Sequence, residues 1–136
     1  MVGRSMTRGK VVLVPYPFDD LATQKARPAV CLTEPLTSHR HIVLAFVTSR
    51  EPDEPLDTDI VLDANDPDFA RTGLQVRSTI RIHRLLTVAS SLIKREIGRL
   101  SPRLQAQVAD AGRRLFAAQS DAADGGKGES DVTSGV

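Results

Sequence analysis

The sequence contains one cysteine, Cys31, and no tryptophan. A single thiol excludes an internal disulfide framework and a cysteine-rich zinc site. With one Tyr and four Phe, platforms for stacking nucleic-acid bases are poorly supplied. No apolar run nears the ~20 residues that carry a helix across a bilayer, which excludes a membrane-spanning reading. Arg4, Arg8 and Lys10 lead into no apolar h-region, so a secretory signal is not expected. Together with the free thiol, this favours the cytoplasm. Catalytic signatures are missing too. There is no G-x-x-x-x-G-K-S/T, no H-E-x-x-H, no C-x-x-C and no G-x-S-x-G.

What is present is one domain's worth of chain. The 136 residues are 40% hydrophobic and 26% charged, which is ordinary globular usage and enough for a self-supporting core. The net charge of +1 hides an asymmetry. Residues 119–136 carry four acids against one Lys, with abundant Gly and Ser. They have too little apolar surface to offset their ordering entropy, so this segment is expected to be a disordered acidic tail. Residues 1–118 form the expected folded domain and are mildly basic, which suits a polyanionic partner without requiring one.

Short apolar runs recur along that domain. Residues 11–14 (VVLV) end at Pro15, 28–33 (PAVCLT) follow Arg27, and 41–48 (HIVLAFVT) form the clearest strand. Residues 58–62 and parts of 74–87 and 95–99 continue the series. Ile80 and Ile82 share one face of their strand, and Arg81 and His83 share the other. Asn65 to Gly73 reads as a loop with room for one helical turn. Ser101 then makes an N-cap and Pro102 suits the first helical position. Leu104, Val108, Ala111 and Leu115 form one apolar stripe over about four turns. Several short strands and one terminal helix predict a mainly β fold, a small curved sheet or barrel.

Taken singly, the polar candidates are modest. His39 and His41 sit at i and i+2, a spacing a metal can use, but no third ligand is evident and solvated histidines are the better reading. No metal site and no cofactor is expected. Pro28 biases Arg27 toward extended backbone and holds its guanidinium at a loop–strand junction. There its planar fork can grip a phosphate, or pair with Asp19 or Asp20. Thr48 and Ser49 end the third strand, where hydroxyls either donate to a phosphate or start a turn. Arg77, Arg81, Arg84, Lys94, Arg95 and Arg99 form a basic stretch, the usual mark of a solvated face and the less common mark of a nucleic-acid groove.

The order of segments says more. G-K-V-V-L-V-P-Y-P-F at 9–18 is followed by K-A-R-P-A-V-C-L at 25–32 and I-V-L-A-F-V-T-S at 42–49. Then come G-L-Q-V-R-S-T-I-R-I at 73–82 and L-T-V-A-S-S-L-I-K-R-E-I-G-R-L-S at 86–101. Over about residues 8–117 this resembles the MazF/PemK family of toxin endoribonucleases. The resemblance implies an SH3-like β-barrel of the CcdB/MazF type with a C-terminal helix. It implies a homodimer whose groove binds single-stranded RNA and cuts it without a metal. It also implies a cognate antitoxin, with operator DNA bound by the two together. Arg27 falls on the family's catalytic arginine and Thr48 on its catalytic threonine, while Ser78 matches a supporting serine. Lys25, Ser49, Arg81, Asp19 and Asp20 are further expected RNA-contacting residues, and either aspartate is a possible acidic helper. Two features depart from the family: Gly9-Lys10 where an acid often follows the glycine, and a short Thr23-Gln24-Lys25 loop. The competing readings keep the barrel and change its target. One is a CcdB-like inhibitor of DNA gyrase, and the other a non-catalytic co-repressor that binds DNA or antitoxin.

Overall fold

β-Branched and aliphatic runs dictate the architecture. In the computed structural model, which describes residues 6–15 and 25–125, each run becomes a strand of one antiparallel sheet. The strands are β1 (Lys10–Pro15), β2 (Ala26–Cys31), β3 (His41–Thr48), β4 (Asp59–Leu62), β5 (Ser78–Ala89) and β6 (Arg95–Arg99), followed by helix α1 (Pro102–Gly125). Their order across the sheet is β4-β5-β3-β2-β1-β6, and the sheet curls into a half-barrel. The fold is thus mainly β with one C-terminal helix, as expected.

Both faces of the sheet are covered, which explains why β2 and β3 read as continuous apolar runs rather than alternating ones. Val11, Val30, Ala45, Val47, Ile80 and Ile82 pack with Leu104 and Ala111 of α1. Val12, Val14, Ala29, Cys31, Ile42, Leu44, Phe46 and Val88 form a second cluster. Burial pushes the Cys31 thiol up to about 11, so it stays protonated and inert at neutral pH.

β5 takes part in both clusters because it bends. Residues 79 and 80 pair with Thr48 and Val47, but Leu85 pairs with Ala45, so residues 81–84 form a bulge in the ladder. Ile80 and Ile82 enter the helix-side cluster, whereas Leu86 and Val88, beyond the bulge, serve the other. The alternation read at Ile80–His83 holds, with both isoleucines buried and His83 exposed. Residues 74–77 lie outside the strand, because pairing with β4 starts only at Ser78.

Helix α1 starts as predicted. The Ser101 hydroxyl accepts from the Leu104 N–H (3.2 Å) and donates to the Asp68 carboxylate (2.7 Å). The helix then runs to Gly125, well beyond the four turns expected and past the 118/119 boundary. The expected length rested on the apolar stripe, which ends at Leu115, well before the end of the helix. Residues 126–136 of the expected tail, like Asp19 and Asp20, lie outside the described residues.

Two glycines bring the short 3-10 turn at Ala70–Thr72 onto β6. A Cβ on Gly98 would lie 2.3 Å from the Thr72 backbone, and one on Gly73 (φ +76°) would lie 1.9 Å from the Ile97 carbonyl oxygen. This contact accounts for the glycine of the I-G-R-L segment.

Candidate functional site

Strands β2 and β3 are hydrogen-bonded from Cys31↔Leu44 to Ala29↔Phe46. The next residue on β2 is Pro28, which has no N–H to extend the ladder. Continuing the same register sets Arg27 opposite Thr48, at the point where the pairing has stopped. The two strands are therefore aligned there but not joined.

A groove of about 570 Å³ opens at that place. Arg27, Thr48, Ser49, Ser78 and Arg81 all line it, so five of the residues singled out from the sequence converge. Arg50, Arg84 and Arg95 line it as well, while Leu13, Pro28, Phe46, Leu74, Val76 and Ile97 supply apolar surface. Among the described residues lining it there is no Asp, Glu or His. Among the described residues this concave surface gathers five guanidinium groups and no carboxylate, a charge balance that favours anions.

The residues differ in what they can do. Thr48 starts a turn: its hydroxyl oxygen accepts from the Arg50 N–H (3.1 Å) and donates only distantly to the Arg50 carbonyl (3.4 Å). The first bond orients the oxygen, and the second is long enough to yield to a better acceptor. Ser78 is buried and donates to the Val76 carbonyl (2.8 Å), so it braces the groove wall rather than presenting a hydroxyl. Arg81 is committed to structure. Its Nε donates to Asp59 (3.1 Å) and one terminal nitrogen to the Glu54 carbonyl (3.2 Å), with the Asp59 side chain only 6% exposed. Lys25, expected to contact RNA, is exposed but does not line the groove.

The basic stretch separates into different tasks. Arg77 reaches toward Glu51 (3.8 Å) and Asp63 (3.7 Å). Arg99 donates to the Arg8 (3.4 Å) and Met6 carbonyls and fastens the segment before β1. Glu34 assists from the other side by accepting the Thr7 and Arg8 N–H groups, which hold its carboxyl below the usual range. Arg84 and Arg95 face the groove, a role the sequence alone did not separate from the solvated reading. Arg50 and Gln75 were not singled out from the sequence; their only signals were proximity to Thr48-Ser49 and to the G-L segment. The His39 and His41 rings lie tilted against each other with centroids 5.8 Å apart, and His41 Nδ1 lies 3.2 Å from the Thr37 hydroxyl.

A family model described as PemK-like, MazF-like toxin of type II toxin–antitoxin system matches residues 7–116. The chain belongs to this toxin family. No curated protein is recognisably similar to it in sequence. Among solved structures, the MazF-like chain shares its fold with Mycobacterium tuberculosis toxin MazF-mt6 (TM-score 0.60, 21% identity, 79% of this chain and 96% of that one). It also matches an endoribonuclease in complex with its cognate antitoxin from a mycobacterial species (0.59, 13%, 83% and 96%). A third match is a MazE–MazF complex from Deinococcus radiodurans (0.58, 15%, 83% and 97%). At such identities the likeness is one of fold. No helix among the described residues of the toxin is long and apolar enough to cross a membrane.

Proposed function

We propose that this MazF-like toxin is an endoribonuclease that cuts single-stranded RNA at the groove headed by Arg27 and Thr48. The observation that carries the proposal is their alignment, one strand apart, beside a surface lined with arginines and free of carboxylate among the described residues.

RNA brings its own nucleophile, the ribose 2′-hydroxyl. Cleavage forms a bond from the 2′-oxygen to phosphorus and breaks the bond to the 5′-oxygen. Negative charge builds on the phosphoryl oxygens in between. Arg27 stabilises that charge, since a guanidinium stays cationic at any working pH and forks onto two oxygens. The Thr48 hydroxyl exchanges its long bond to the Arg50 carbonyl for a phosphoryl oxygen and fixes the phosphate's orientation. Neither residue is a general base, because arginine does not deprotonate in proteins and threonine has no accessible anion. In this scheme the 2′-proton passes to water and the leaving 5′-oxygen takes one back. The products are a 2′,3′-cyclic phosphate and a 5′-hydroxyl, and turnover is modest because the ~10²–10⁴-fold contribution of a positioned base is forgone. The proposal needs no metal and no cofactor. Asp19 or Asp20 would restore a base if either reaches the groove.

The same polyanion surface suits a competing acidic segment. The mycobacterial and Deinococcus matches were solved with their antitoxins, which supports a cognate antitoxin as partner here. A homodimer, joint binding of operator DNA and a cytoplasmic location complete the proposed setting.

The test is long single-stranded RNA in excess EDTA, with the parent protein beside Arg27→Ala. The expected result is discrete cuts by the parent, ending in cyclic phosphate, and none by the variant. Products with a 5′-phosphate would overturn the mechanism. No cutting by a folded parent would favour the gyrase-directed or co-repressor reading.

A further inference from the structure

The loop at residues 73–77, between the 3-10 turn and β5, forms one wall of the groove and is held at both ends. Gly73 closes the turn through its N–H to the Ala70 carbonyl (3.3 Å), and the Ile97 backbone leaves no room for a Cβ there. The Leu74 N–H donates to the hydroxyl of fully buried Thr72 (3.1 Å). At the far end, Ser78 holds the Val76 carbonyl. Between these anchors Gln75 and Val76 are exposed, and both line the groove that contains Arg27 and Thr48.

Gln75 differs chemically from every other polar side chain lining that groove among the described residues. The arginines only donate, and their match is to phosphate. The hydroxyls of Thr48 and Ser49 donate or accept as the partner requires, so they discriminate little, and that of Ser78 is taken up by the Val76 carbonyl. A carboxamide offers an acceptor and donors side by side in fixed geometry. It pairs bidentately with a base edge that presents one of each, such as adenine N6 and N7. Single-stranded RNA exposes such edges once its bases unstack. Aromatic platforms being scarce, hydrogen bonding is the available means of holding a base. The braced loop keeps the amide from following whichever base arrives, which makes a polar contact selective.

We propose that Gln75 is a specificity-determining residue that reads one base next to the cut. Val76 gives that base an apolar neighbour, and Ser78 and Thr72 act as positioning residues for the loop. The inference rests on the RNA-cleaving reading above and adds the source of its sequence preference.

The experiment uses the full chain as parent, Gln75→Ala and Gln75→Glu. Cut ends are mapped on a randomised single-stranded RNA pool. Binding is measured on short 2′-O-methyl RNAs, which cannot be cut, varied at the preferred positions. The parent is expected to favour one base at one position by ~5–150-fold, the range of a bidentate pair. Gln75→Ala flattens that position and leaves preferences elsewhere in the site. Gln75→Glu, which has lost its donors, moves the preference toward a base presenting an amino group, such as cytosine. An unchanged preference in Gln75→Ala overturns the inference while leaving the ribonuclease reading intact. A parent that cuts nothing, yet whose binding preference collapses in Gln75→Ala, removes the ribonuclease reading and keeps Gln75 as a reader. A parent that neither cuts nor discriminates removes both.

Discussion

Arg27 and Arg81 carry the same guanidinium into the same groove, and their surroundings give them different work. Arg27 is exposed at the open end of β2, whereas Arg81 is tied to a nearly buried aspartate. Removing Arg81 leaves Asp59 without its ionic partner. Arg81→Ala is therefore expected to lower unfolding stability by about 1.5–3 kcal/mol, the cost of a hydrogen bond to a charged group, as read by urea denaturation. A loss below about 0.5 kcal/mol would show that the pair is ornamental. Arg27 and Thr48 stood out in the sequence through the family resemblance, since Pro28 and a strand end left other readings open, and both line the groove. No such signal warned that Arg81 was engaged, since Asp59 lies 22 positions away and only the β4–β5 pairing joins them. Gln75 was hidden for a related reason. An amide in a polar loop looks like any other until the loop is seen braced against β5 and β6.

At the level of elements, the junction between the 3-10 turn and β6 has the least slack. Gly98→Ala would force a Cβ to 2.3 Å from backbone atoms of Thr72, which no side-chain rotation relieves. Overpacking of this kind costs about 1–3 kcal/mol, and the expected outcome is a fall in thermal midpoint together with weaker RNA cleavage, because the loop bearing Gln75 starts from Thr72. Gly112→Ala is the control: nothing lies within 4 Å of its Cβ position, so the helix should tolerate or gain from the change. Strand and helix identities were legible from apolar runs and from the Ser101-Pro102 cap. The bulge at residues 81–84 was not, because it is a shift of register against β3, which the alternation within β5 does not reveal. The extra length of α1 was missed because the apolar stripe, not helix propensity, set the expected end.

For the whole molecule, a net charge of +1 suggests an almost neutral protein, yet the arginines are gathered. Arg27, Arg50, Arg84 and Arg95 come from four separate stretches of chain and meet only because β5, β3, β2, β1 and β6 are successive neighbours in the sheet. If each meets one phosphate, single-strand affinity should fall with a log–log salt slope of roughly −3, at ~0.7 per contact. Arg95→Ala should flatten the slope by ~0.7, while Arg81→Ala leaves it unchanged, measured by fluorescence anisotropy across a salt series. Equal effects of the two variants would place Arg81 among the phosphate contacts after all. The family was legible in the sequence through the order of its segments, whereas the groove's charge depended on the sheet order.

The break between β2 and β3 also bears on how such a protein is kept from closing on itself. Two neighbouring strands in matched register normally zip to their ends, and each further rung would add stability. Here a single ring, that of Pro28, withholds the next rung and leaves Arg27 and Thr48 facing each other across an unfinished seam. What remains there is a piece of sheet left incomplete, and an RNA strand threaded along it would occupy a place that the fold has held open by omission.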